Sequence, residues 1–422
     1  MKNLLSRLHA ERVAPDELEL LLQDEFKSAR SISNNEVQYG GAGDEFALRL
    51  KYSKKHRLLE IAAGLLLTED HIRRIQERIE RELLDTSALR IARVSLFLSM
   101  PMRGYLRYRD HFQIVPVSGD APLPSVALAE HPAVLEFSFA TTPSVMIRHR
   151  RRAVRAREWE LLLNAFFIGH VRTLGHTAHW HWVIPDSWQQ NDSQYLRSTW
   201  LQEMYTWPNQ PSAEDETFLP LGDLAPISEV EAVAYYKRCG PDMSRPLDAP
   251  STLPALLDRY IDLDPESRDR FLRACFWFWN AGEARRSRSE TFIALISAVE
   301  ALMPEIGEVC TDCKRPVVGG DPCPMCRRAR TGQTAQFKRF VEEFGPELTN
   351  QERNKLYETR SKLSHGSKLL PSDEFVLGAV LTSRHMEEWE DISLARSVAR
   401  AVLINWLCAQ EHVQEEGAVA RT

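Results

Sequence analysis

Residues 358–366 read ETRSKLSHG, and how this stretch is understood decides what the C-terminal half of the chain is. Leu356 lies one helical turn before Arg360 and Leu363 almost one turn after it, so the three share a face. A guanidinium on the apolar side of a helix requires hydrogen-bonding partners or an anion, because an unpaired buried charge is very costly. Its planar fork suits a phosphate. His365 follows five residues later, an advance of ~500°, which offsets it from Arg360 by ~140° and ~7.5 Å along the axis. Gly366 marks a helix end, where the turn of the chain can redirect the imidazole. The partial negative charge of a helix C-terminus also favours a cationic ring, a useful setting for a proton donor or acceptor. The plainer alternative is an Arg360 tied into an intramolecular ion pair and a His365 that only caps carbonyls.

Working outward, Thr349-x-x-Glu352 has the form of a capping box and opens the helix that carries Arg360. Ser287-x-x-Glu290 is another, followed by Phe292, Leu295, Ile296, Val299, Leu302 and Met303 at helical spacing. PESRDRFLRACFWFW precedes it, and a final apolar helix is expected from about Asp391 to Ala409. From residue 251 onward the pattern is helical only, which predicts an α-helical bundle.

Between these helices lies CTDCKRPVVGGDPCPMC, in which nine residues separate Cys310 and Cys313 from Cys323 and Cys326. Each C-x-x-C can turn two sulfurs toward one point, and Gly319, Gly320 and Pro322 supply the reversal. Four thiolates complete a tetrahedral Zn²⁺ site with no open position, a structural arrangement and not a catalytic one. Such binding is worth about 10–16 kcal/mol in peptides, enough to fold a short insertion that has almost no core. An iron–sulfur cluster and a redox dithiol are the alternatives. Lys314, Arg315, Arg327, Arg328 and Arg330 rim the insertion. Cys239, Cys275 and Cys408 stand alone, as buried small hydrophobes would.

The chain has 422 residues, 43% hydrophobic and 27% charged, with a formal net charge of −6. Such a composition can bury sizeable cores, and it excludes a wholly basic nucleic-acid coat; any RNA contact must come from local patches. No continuous apolar run of signal-peptide or membrane-span length is evident, and clustered thiols suit a reducing compartment. The expectation is a soluble cytoplasmic protein with no membrane partner.

Residues 1–185 mix signals. APDELELLLQDEFKSA and EDHIRRIQERIERELL read as helices; EFALRLKYS, IARVSLFLS, YLRYRDHFQIVPV and AVLEFSFA read as strands. Residues 186–250 are polar and proline-rich, a connecting region with a short helix near Val230–Tyr236. The stretch IRHRRRAVRARE begins an amphipathic helix, and its Arg148, Arg150, Arg151 and Arg152, together with Lys362, are candidate RNA-backbone contacts. The alternative is a solvated face paired with the protein's own carboxylates. His176, His179 and His181 form either a metal site or a half-buried aromatic strand. YGGAGDE lacks the lysine and helix of a phosphate-binding loop.

The motif Arg360-Ser-Lys-Leu-Ser-His365 resembles the signature of the HEPN superfamily, an arginine and a histidine separated by four to six residues. The likeness is strongest to the Apea-like branch. RFLRACFWFWNAGEARRSRSETFIALISAVEALM, the inserted cysteines, FKRFVEEF and LYETRSKLSHG stand in a similar order, over residues 251–412. Residue 361 is Ser where many HEPN nucleases carry Asn, Asp or His, and residue 367 is Ser where one subgroup has Tyr. The resemblance implies metal-independent RNA cleavage by a homodimer, with both motifs at a shared cleft and Arg360 and His365 as the catalytic pair. Ser361 would orient one of them. Glu300 either pairs with an arginine or faces solvent.

The expected architecture is α+β: a mixed, sensor-like α/β domain over 1–185, a connection over 186–250, and an all-α HEPN-like bundle over 251–415. A zinc knuckle is inserted at 308–328. The expected activity is an endoribonuclease with structural zinc and no catalytic metal, cutting tRNA or other RNA in anti-phage defence by abortive infection. A phage-derived or cellular trigger would act at the N-terminal domain. A non-catalytic HEPN scaffold for dimerisation or ligand binding is the alternative, and a zinc-dependent DNA-binding regulator is a third.

Overall fold

Proline at the first helical position, where a missing N–H is no loss, starts α1 (Pro15–Phe26). An antiparallel meander follows, β1 (Ala29–Ser33), β2 (Glu36–Tyr39), β3 (Leu48–Tyr52) and β4 (Leu58–Ala63), its strands adjacent in chain order. Then comes α2 (Glu69–Arg78), capped by Thr68 and His71 and continued by a π-helical turn over Ile79–Leu84. Leu18, Leu21 and Leu22 of α1 bury against Leu48, Leu50, Ile61, Ile75 and Ile79 in a core of their own. The computed structural model describes residues 3–41, 45–53, 57–117, 131–169, 171–173, 211–238, 240–242, 244–282, 286–304, 333–374 and 383–410.

A larger antiparallel sheet comes next. It contains β5 (Leu89–Leu98), β6 (Leu106–Tyr108), β7 (Phe112–Pro116) and β8 (His131–Ala140), and beyond α3 (Val145–Phe166), β9 (Val171–Thr173) and β10 (Glu214–Asp215). The order is β10-β5-β8-β7-β6, with β9 also on β5. Side chains alternate between faces along each strand. Ala92, Leu96, Phe112, Ile114, Leu135, Phe137 and Phe139 point toward α3 and the helices beyond. On the opposite face Arg93, Glu136 and Gln113 stand side by side in register across three strands.

That polar row is buried and fully engaged at its centre. Arg93 Nε donates to Glu136 at 2.7 Å, Gln113 donates to the same carboxylate, and so does the Leu219 N–H at 2.9 Å. Arg93 also donates to the Ser212 and Thr217 carbonyls. The segment around 211–221 is thereby fixed over the sheet, with Leu219 and Leu221 packed on Phe97, Val115 and Val134. Part of the expected connecting region is thus a cover for this sheet.

The remaining elements are β11 (Glu229–Val230), α4 (Ala232–Tyr236), β12 (Ala249–Pro250), α5 (Leu253–Ile261), α6 (Pro265–Asn280), α7 (Arg288–Leu302), α8 (Gln333–Phe344), α9 (Asn350–Ser364), α10 (Pro371–Glu374) and α11 (Ser383–Ala409). Both expected capping boxes form: Ser287 Oγ accepts from the Glu290 N–H, and Thr349 Oγ1 from the Glu352 N–H. The thread of hydrogen bonds back from Thr349 also holds the Glu352 carboxyl below the usual range.

One continuous apolar core joins the inner face of the large sheet, α3 and helices α5 to α9 and α11. The smaller core draws on residues 4–83 and on Ile147 of α3, so the stretch expected as one N-terminal unit, 1–185, contributes to both cores. An amphipathic strand shows that one face is buried, not what covers it. The coarse architecture is α+β, with N-terminal sheets and C-terminal helices.

Helix α11 starts at Ser383, earlier than expected, and it is the one described helix long and apolar enough to span a bilayer. Asp391, Arg396 and Arg400 interrupt it, so it holds no continuous apolar run of that length. Ile392, Ala395, Val398, Ala399, Val402, Leu403, Trp406 and Leu407 lie in the shared core, which accounts for the apolar composition. Cys275 is buried as expected, but Cys408, in the last turn of α11, is exposed; Cys239 lies outside the described residues.

Candidate functional site

Helix α9 carries the motif. Leu356 and Leu363 are buried, and Arg360 between them is directed into the bundle, where its Nη2 donates to Glu300 Oε2 of α7 at 3.0 Å. The pair is partly buried, with the arginine side chain 24% exposed and the glutamate 16%. Glu300 is therefore the partner of an arginine, not a solvent-facing carboxylate. Its second oxygen, Oε1, is buried without a hydrogen-bond partner. Only one N–H group of the guanidinium is engaged by Glu300, and the fork has five donors in all. Tyr357, three residues earlier on the same face, sets its ring 5.9 Å from the Arg360 guanidinium carbon. The i, i+3 spacing was the only sequence signal for that contact.

The helix ends as Gly366 predicts. The Gly366 N–H donates to the Leu363 carbonyl and the Ser367 N–H to the Lys362 carbonyl, a Schellman closure. Gly366 has φ +66°, a left-handed conformation, with open space where a Cβ would be. The closure leaves His365 at the C-cap with its side chain exposed. Among the described residues its ring has no hydrogen-bonding or ionic partner. Ser361 is half-buried beside Arg360 in the chain. The structure thus joins Arg360 to Glu300 and leaves His365 apart, facing solvent.

Lys362 pairs with Glu358 at 2.6 Å, a contact that holds the Glu358 carboxyl below its ordinary range. The arginines of α3 also find carboxylates of this chain. Arg150 meets Asp16, Arg151 meets Glu17 at 2.8 Å, and Arg148 and Arg152 approach Glu214 at 3.8 and 3.7 Å. Arg151 donates in addition to the Glu82 and Leu83 carbonyls, which ties α3 to the N-terminal lobe. These contacts match the solvated, self-paired alternative for the arginine run.

Cys310, Cys313, Cys323 and Cys326, with their basic flanks, lie outside the described residues, between α7 and α8 in the chain. His176, His179 and His181 lie outside them too. The four thiolates suit zinc by their chemistry alone. Compared with family models, with curated proteins and with solved structures, the chain matches none.

Proposed function

We propose that this chain is a metal-independent endoribonuclease of the HEPN type, acting as a homodimer through its helical half. The observation that carries the proposal is the division of labour on α9: a guanidinium held by one N–H, with donors to spare, and an unencumbered imidazole at the helix end. In the reaction, His365 takes the proton from a ribose 2′-OH, whose oxygen attacks the adjacent phosphorus. The P–O5′ bond breaks, and the partner subunit's His365 gives a proton to the departing 5′ oxygen. Arg360 donates its free N–H groups to the phosphate oxygens as charge gathers on them. Glu300 keeps the guanidinium aimed, and Ser361 orients the pair. Zinc bound by the four cysteines would fold the insertion and take no part in the chemistry. Resemblance to the Apea-like branch suggests a role in anti-phage defence, with tRNA among the targets and the trigger sensed at the N-terminal lobe.

The Arg360–Glu300 pair also favours a second reading, a non-catalytic scaffold in which this ion pair is purely structural. Incubating the parent protein, Arg360→Ala and His365→Ala with total cellular RNA separates the two. The nuclease reading expects cleavage by the parent alone, with all three proteins folded and dimeric. Equal cutting by both variants, or none by the parent under activating conditions, overturns it.

A further inference from the structure

At the opposite end of α7 from Glu300, a cavity of about 230 Å³ opens between α11, the α4 segment and the start of α7. Among the described residues its lining includes Arg238, Arg288, Arg396 and Arg400 and no carboxylate. Two of the four have acidic neighbours: Arg238 is paired with Asp248 at 2.8 Å, and Arg288 lies 3.9 Å from Glu388. Arg396 and Arg400 have none among the described residues. Arg396 donates to the Ala281 carbonyl, at 3.5 Å, and Arg400 to the Phe167 carbonyl, at 2.9 Å, with its guanidinium 5.1 Å from the Phe278 ring centroid. Arg400 Nε is buried with no partner at all.

Two cations one turn apart on α11 repel each other, and unpaired charges lining a cavity are expensive unless an anion fills it. Burial foremost, and then Arg400, Arg172 and Arg288, pushes Arg396 down to about 10, so it stays charged at neutral pH. Trp389 stands on the same helix stripe at the rim and is 63% exposed. The enclosed volume is below the about 300–1,000 Å³ typical of sites that swallow a whole drug-sized ligand. It suits a phosphate and its sugar, with a flat group left outside over an indole. Guanidinium forks match phosphate oxygens, and indole faces stack on bases.

We propose that this cavity is a nucleotide-binding site, with the phosphate held by Arg396 and Arg400 and the base stacked on Trp389. Arg288 and Arg238 flank the phosphate. Twelve residues of α7 separate Arg288 from Glu300, roughly 18 Å of helix, so the ligand would not touch Arg360. The site stands whether or not the α9 motif cuts RNA.

Calorimetric titration of the full-length protein with ATP, AMP, adenosine and inorganic phosphate tests this. ATP and AMP should bind and adenosine should not. Arg396→Gln and Arg400→Gln should each weaken ATP binding by about tenfold or more, the loss of one charge-assisted hydrogen bond. Trp389→Ala should weaken AMP while leaving inorganic phosphate unchanged. Should the buried-arginine variants fail to fold, Trp389→Ala and the rim variant Arg288→Gln decide the matter. Absence of ATP and AMP binding by the parent, or unchanged ATP affinity in the folded variants, overturns the proposal; phosphate binding insensitive to Trp389 together with AMP binding equally insensitive to it overturns the nucleotide assignment.

Discussion

Removing either partner of the Arg360–Glu300 pair should have unequal consequences. Arg360→Ala leaves a carboxylate that is 16% exposed with neither oxygen paired, since Oε1 already lacks a partner. Breaking a fully buried pair in this direction costs about 3–5 kcal/mol, and discounting for the partial exposure gives about 2–3 kcal/mol. Glu300→Ala leaves a guanidinium that is 24% exposed and can turn toward water over Tyr357. It also removes an orphaned oxygen, whose burial costs about 1–3 kcal/mol, so the net loss should be only about 1 kcal/mol. The double variant should resemble Glu300→Ala, a loss well below the sum of the two single losses, which marks the pair as strongly coupled. Urea unfolding followed by tryptophan fluorescence is suited to the measurement, because Trp159, Trp279 and Trp406 are buried in the core that also holds Leu356 and Leu363 of α9. Equal losses from the two single variants, or strict additivity, would refute the reasoning.

Further outcomes follow from other parts of the molecule. Glu136→Ala should destabilise the protein by about 3 kcal/mol, since Arg93 Nε, the Gln113 amide and the Leu219 N–H lose their shared acceptor while Arg93 keeps Asp215 at 3.1 Å. Limited proteolysis should then cut within 211–221, which Glu136 holds down through Leu219. Burial foremost, and then Arg155 and Arg109, holds the His111 imidazole below its ordinary value. Just below about pH 6.5 the unfolded ring binds more protons than the folded one, so stability rises with pH there and is lost as pH falls. His111→Gln should flatten that part of a stability–pH profile. Cys310→Ser or Cys326→Ser should reduce soluble yield and zinc content measured by atomic absorption; variants that fold normally without metal would argue against the structural zinc.

Local signals in the sequence were sufficient where the physics is local. Ser287 with Glu290, Thr349 with Glu352, and Gly366 after His365 each named a helix end, because capping depends on residues a turn apart. Alternation located β5 and β8, and the leucines flanking Arg360 placed it on a buried face. The pairings that give these elements their roles are long-range and left no local trace. Glu300 lies sixty residues from Arg360. Asp16 and Glu17, which engage the arginines of α3, lie 134 residues away from them. A polar row across three strands was legible only once the register was known, and with it the covering role of 211–221. The boundary between cores was hidden for the same reason: the periodicity of β5 or α6 specifies a buried face but not the element that buries it. Arg396 and Arg400 stood plainly in the sequence, yet their lack of acidic neighbours is a property of the fold.

The most direct test concerns the ends left on RNA. Sequencing and end-labelling of products from a defined RNA incubated with the purified protein should reveal 2′,3′-cyclic phosphate and 5′-hydroxyl termini, in the presence of a chelator as well as without it. Both should vanish with His365→Ala. Products ending in 3′-hydroxyl groups, or cleavage that survives loss of the histidine, would contradict the account.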